Sequence, residues 1–96
     1  MVLEVAQFLI TPGAEDAFAQ AYRQARDLLQ QSEGCRSVRM TRGVESPSRF
    51  ILLVEWDSVA AHEDNFRASD RYPRWRELIS PYFAQTPVVE HFADVG

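Results

Sequence analysis

The sequence predicts an α+β domain in which an antiparallel sheet is covered on one face by helices, and three observations predict it. Short apolar runs of strand length alternate with two stretches whose apolar residues recur at intervals of three and four. The segments follow the order strand, helix, strand, strand, helix, strand, which is the ferredoxin-like βαββαβ arrangement. With both helices on one side, apolar residues remain on the opposite face of the strands, and the same face of a second chain is the simplest cover. A homodimer is therefore part of the prediction. At 96 residues the chain is read as one domain spanning 1–96, small enough that burial against a partner would add useful stability.

The elements are justified in chain order. Val2 to Ile10, VLEVAQFLI, is a strand with apolar residues on both faces, interrupted by Glu4 and Gln7. Thr11 to Gly13, TPG, ends it. From Ala14 to about Gln31, the positions Ala17, Phe18, Ala21, Tyr22, Ala25, Leu28 and Leu29 form one helical stripe, and Gly34 closes that element in a left-handed or turn conformation. Arg36 to Arg42 alternates Val38 and Met40 with polar residues, the pattern of a strand with one wet face. Gly43 to Ser48 reads as a hairpin connection, and Phe50 to Trp56, apolar at nearly every position, as a central strand.

Asp57 or Ser58 can cap the next helix, whose first stripe is Val59, His62 and Phe66. Ser69 and Asp70 offer a second start and Pro73 fits a first turn, which predicts two short helical pieces with a bend between them. Tyr72, Trp75, Leu78 and Ile79 mark the second piece, Pro81 discourages its continuation, and Val88 to Val95 is the last strand.

Composition excludes several function classes. A net charge of −4 with no long run of either sign gives nothing to hold a phosphate backbone, so no nucleic-acid partner is expected. All ten basic residues are arginine, which removes lysine Schiff-base chemistry. Cys35 is the single cysteine, so no intrachain disulfide forms, and it is read as an inert core residue. The N-terminus lacks a basic region ahead of its apolar run, so neither a signal peptide nor a membrane span is expected and the setting is read as cytoplasmic.

The stretch HEDNFRASDRYPRWREL, His62 to Leu78, holds the residues that bear chemistry. His62 shares a helical face with Val59 and Phe66, where an imidazole either bonds quietly within the core or sits over a cavity and moves protons. Trp56, Phe66, Tyr72 and Trp75 either wall a flat apolar ligand or simply fill the core. Arg67, Arg71, Arg74 and Arg76, set among Asp64, Asp70 and Glu77, are read as a solvated face. His91 shares a strand face with Val89 and Ala93, as a pocket donor or a dimer contact. His62 and His91 meeting a carboxylate in space is the one arrangement that could hold a metal. Adjacent helical residues such as His62 and Glu63 do not face the same way, so no metal is expected.

TPGAEDAFAQAY after the first strand, LLVEWDSVAAHEDNFRAS, and PVVEHF near the end resemble the antibiotic biosynthesis monooxygenase family across essentially the whole chain. The resemblance implies a dimeric α/β barrel. It also implies cofactor-independent oxidation, by dioxygen, of a small aromatic or quinol-like substrate with no flavin, haem or metal. Carried onto this chain, the strand-ending tryptophan is Trp56. A tyrosine of the polyketide oxygenases corresponds to His62 and an asparagine to Leu52, a lost amide donor. In the haem-degrading branch, asparagine, tryptophan and histidine correspond to Ala6, Phe66 and Arg76, so haem degradation is not expected. The resulting assignment makes His62 the base or proton shuttle and Tyr72 an oxygen-directed donor. Trp56, Phe66 and Trp75 then wall the substrate, with His91 as a secondary contact. The alternative is a noncatalytic ligand-binding or stress-associated dimer on the same fold.

Overall fold

The computed structural model describes residues 1–96. Strand β1 (Val2–Leu9) turns Glu4, Ala6 and Phe8 toward the helices and leaves Leu3, Val5, Gln7 and Leu9 half-buried on the other side. Period-two alternation makes Glu4 a buried residue, so the charged position that interrupts the apolar run is an inward-facing one. Gly13 takes a positive φ of 94° at the turn into helix α1 (Glu15–Gln30). No side chain caps α1 at Ala14; instead the Glu15 carboxylate accepts from the Gly13 backbone N–H at 2.8 Å and from Ser48 Oγ at 2.6 Å, tying the helix start to the hairpin. Phe18, Ala21, Tyr22, Ala25 and Leu29 are its buried stripe; Leu28 is half-buried, and Ala17, which the spacing placed in the stripe, is exposed at its edge.

Gly34 has φ 89°, and a Cβ there would come within 2.7 Å of Ala61 Cβ, so both conformation and space select glycine. Strands β2 (Cys35–Arg42) and β3 (Arg49–Trp56) form the predicted hairpin, with a register shift between Cys35 and Ser37. Strand β4 (Val88–Phe92) stops three residues short of the predicted Val95. The sheet order is β2-β3-β1-β4 with every neighbouring pair antiparallel, the ferredoxin-like topology.

The second helical region has the predicted bend. Ser58 Oγ accepts from Ala61 N at 3.0 Å and starts α2 (Val59–His62), which continues as one π-helical stretch, Glu63–Arg67. Such wider turns recur at functional sites. Ser69 Oγ donates to the Phe66 carbonyl at 2.6 Å where the chain bends, and α3 (Arg71–Ile79) ends in a 3-10 turn at Ser80–Tyr82, where Pro81 sits. Arg71 departs from the solvated face predicted for it. Its guanidinium donates to the carbonyls of Leu28 and Asn65 and to Ser32 Oγ at 2.7–2.8 Å, strapping α3 to α1 and to the π-turn. No helix is long and apolar enough to cross a membrane.

The helices and sheet enclose a core around Phe18, whose ring lies 5.6 Å from Phe8, 4.8 Å from Phe50 and 6.3 Å from Phe83. On the far side of the sheet, Leu3, Val5, Ile51 and Leu53 are half-buried and Phe92 is half-exposed, a contiguous apolar face without a cover in the single chain.

Candidate active site

Strand register assembles the site. Glu4 on β1 lies directly opposite His91 on β4 and opposite Val54 on β3, so Trp56 is its diagonal neighbour on the same face. From that position the Trp56 indole Nε1–H donates to Glu4 Oε1 at 2.9 Å. The start of the second helical region then lays His62 over Trp56, with ring centroids 4.9 Å apart and planes within 18°. His62 Nε2 lies 3.4 Å from the same Glu4 oxygen, and His62 Nδ1 lies 2.8 Å from His91 Nε2. Phe66 continues the stack one turn later, 6.3 Å from His62 and nearly parallel to it, and Tyr72 and Trp75 meet Phe66 edge-on.

The result is a chain of polar groups, Trp56 to Glu4 to His62 to His91, inside an aromatic shell. Glu4 is only 5 % exposed and His62 3 %. Burial penalises whichever form is charged, so it moves the two groups in opposite directions. Burial raises the Glu4 carboxyl to about 7, against the lowering effects of the Trp56 hydrogen bond and the Arg67 charge. Burial lowers the His62 imidazole to about 4, helped by His91 and Arg67. At neutral pH the pair is therefore a neutral imidazole beside a carboxyl poised between its two forms, not an ion pair. Burial also pushes the Cys35 thiol up to about 11, with Glu4 adding to the shift, which fits the inert role read from the sequence.

Beside this chain lies a cavity of about 160 Å³ between the helices and the sheet. A cavity of this size takes one benzene-sized ring. Glu4, His62, Phe66, Tyr72 and Trp75 all reach it. Trp56 does not: it is wholly buried and its face is occupied by His62, so its stacking partner is the imidazole and it reaches a ligand only through Glu4 and His62. Leu52, where the resemblance places an amide, is a buried apolar part of the wall.

Arg67 and Arg76, read from the sequence as solvated, line the cavity as well. The Arg67 guanidinium lies 5.3 Å from the centre of the Tyr72 ring and 3.5 Å from its hydroxyl. Glu4 was not singled out by the sequence reading; the available signal was a carboxylate on the inward side of an otherwise apolar strand. Glu63, set aside as a partner for His62, brings a carboxylate oxygen into a group with the His62 and His91 nitrogens, all within 4.8 Å of one another.

Comparison with known proteins bears on the same architecture. The curated protein YczJ of Bacillus subtilis (strain 168), described as uncharacterized, is 35 % identical over 95 residues, covering 99 % of this chain and 100 % of that protein. A crystal structure of a putative antibiotic biosynthesis monooxygenase from Bordetella bronchiseptica is 37 % identical, with a TM-score of 0.93 over 98 % of this chain and 96 % of that one. SnoaB from Streptomyces nogalater, described as a cofactor-independent oxygenase, shares the fold at a TM-score of 0.85 and 14 % identity, over 99 % of this chain and 93 % of that one. The antibiotic biosynthesis monooxygenase profile matches residues 1–78, the segment that contributes Glu4, Trp56, His62 and both cavity arginines, and the chain belongs to that family.

Proposed function

We propose that this protein is a cofactor-independent monooxygenase acting on a small phenolic or quinol-like ring. The observation that carries the reading is the Glu4 carboxyl, held at about 7 at the wall of a ring-sized apolar cavity. A general base works best when its pKa lies near the working pH. Glu4 is the proton acceptor, in place of the His62 assignment made from sequence, because an imidazole lowered to about 4 is a weak base. His62 and His91 form the onward relay for the proton. Phe66 and Trp75 wall the ring, and Tyr72 with Arg67 and Arg76 faces the phenolate oxygen as charge develops on it.

The chemistry balances without a bound cofactor. A phenolic hydroxyl loses its proton to Glu4, and the phenolate, which carries carbanion character at the ring carbon para to its oxygen, is itself the reductant of dioxygen. One oxygen atom becomes the new ring carbonyl of a quinone, and the other leaves as water with the hydroxyl hydrogen and the hydrogen of the oxidised ring carbon. The protein supplies a dry pocket, a base and donors for the oxyanion. The test is oxygen uptake with a panel of single-ring phenols and quinols. Uptake that falls about 100-fold in Glu4→Gln supports the reading. Saturable binding of the same rings without oxygen consumption favours the ligand-binding alternative, which Leu52 supports by removing the amide expected near the reacting oxygen.

The working assembly is a homodimer formed through the far face of the sheet, where Leu3, Val5, Ile51, Leu53 and Phe92 lie uncovered. Light scattering is expected to give twice the chain mass for the native protein and the single-chain mass for Leu53→Arg. A native protein that runs as a monomer at micromolar concentration would overturn this.

A further inference from the structure

We propose that His62, His91 and Glu63 form a binding site for a borderline first-row divalent cation, with zinc as its representative. The three residues come from two elements: His62 and Glu63 from the junction of α2 with the π-turn, and His91 from β4. Their donor atoms all lie within 4.8 Å of one another. Two imidazoles and a carboxylate are the ligand types that zinc, cobalt and nickel share.

The two imidazoles need little adjustment, while the Glu63 carboxylate must swing in from a group spread over 4.8 Å. The nitrogens of His62 and His91 are 2.8 Å apart. On a tetrahedral ion with bonds of about 2.0–2.1 Å they would stand about 3.3 Å apart, so an opening of roughly half an ångström admits the metal. His91 can supply it, because it is half-buried on an edge strand that pairs only with β1.

A second observation points the same way. His62 Nε2 faces Glu4 Oε1 at 3.4 Å, and that oxygen is itself held by the Trp56 indole. The carboxylate stands close enough to Nε2 to favour a proton there, which leaves the Nδ1 lone pair for an ion, the logic of carboxylate–histidine–zinc arrangements. Here Nδ1 is the atom that faces His91. Without metal, the His91 Nε2 proton bridges the two rings; with metal, it moves to His91 Nδ1 and the ion takes its place.

Arg67 opposes binding, since its guanidinium lies 3.8 Å from the Glu63 carboxylate. That opposition gives the site a signature. The inference does not rest on the oxygenase reading, and its test reads binding rather than turnover. The purified protein, stripped with a chelator, is titrated with cobalt(II) and followed by visible absorption, with zinc added afterwards as competitor. One cobalt per chain is expected, with the intense bands of a low-coordinate ion that zinc abolishes. His91→Ala is expected to weaken binding more than about 100-fold, as removal of a direct ligand should exceed the loss of an outer-shell partner. Arg67→Gln is expected to tighten it several-fold. Circular dichroism checks that each variant is folded. Absence of saturable cobalt binding in the native protein, or equal affinity in His91→Ala, overturns the proposal.

Discussion

The layer between helices and sheet holds two aromatic clusters that read alike in composition and differ in kind. Around Phe18, the rings of Phe8, Phe50, Tyr82 and Phe83 meet at 4.8–6.5 Å, and the Tyr82 hydroxyl is the one polar side-chain atom among them. Around His62, the rings of Trp56 and Phe66 stack over a buried carboxyl and a second imidazole. The first cluster closes the fold by area burial and tilted ring packing alone. The second burdens the fold with a carboxyl that burial makes reluctant to ionise. Aromatic density therefore does not separate core from site in this chain; the buried titratable group does.

Truncation on the packing side should give the largest effect. Phe18→Ala removes a ring that is wholly buried, and a stability loss of about 3–5 kcal/mol is expected from denaturant unfolding. A much smaller loss would mean that the layer can collapse around the gap, and the contrast between the clusters would weaken.

On the polar side, Glu4→Gln should do the opposite. It keeps an oxygen for the Trp56 and His62 donors and removes a reluctant charge, so the fold should hold while turnover of an active phenol falls about 100-fold or more. A variant that turns over at the native rate would remove Glu4 from the chemistry and leave it a structural curiosity.

The pH dependence of stability sharpens the same comparison. His62 has a lowered pKa, so its contribution to stability rises with pH between about 4 and 6.5. Glu4 has a raised pKa, so the folded state holds a proton that the unfolded state releases, and stability falls with pH between about 4.5 and 7. Between about pH 4.5 and 6.5 the two effects oppose one another in the native protein. Glu4→Gln should unmask the His62 slope, visible as a midpoint that climbs with pH across that window. An unchanged, flat profile in the variant would show that the two groups do not titrate as opposed partners.

The smallest effect is expected at Cys35, whose thiol is pushed up to about 11 and is half-buried. Alkylation at pH 8 should run well below the rate of a free cysteine peptide. Fast labelling would place the β2 end of the sheet in a more open environment than the packing implies.

Most of the fold was legible in the sequence because each element signals itself locally. The Phe18-to-Leu29 stripe, the apolar run ending at Trp56, and the breakers Gly34 and Pro81 act over one or two turns of chain. The last strand was overextended to Val95, since the sheet partner that ends at Leu3 decides where pairing stops. The site was legible only in part. His62, Phe66, Tyr72 and Trp75 do converge on the cavity, because helical spacing had already put them on one face. Trp56 lies one layer behind the cavity wall, and Arg67 and Arg76, exposed as predicted, also line the cavity, because spacing gives a face but not a depth.

By itself, then, the chain determines an α+β order, a helical stripe and an inward register that carries Glu4 with Ala6 and Phe8. Only the tertiary structure decides that Glu4 meets His91 across β4, Trp56 across β3 and His62 from above. These partners lie between 52 and 87 residues away along the chain. Their distances follow from strand order and helix docking, which no local pattern encodes, and the pKa of a buried carboxyl depends on just those distances.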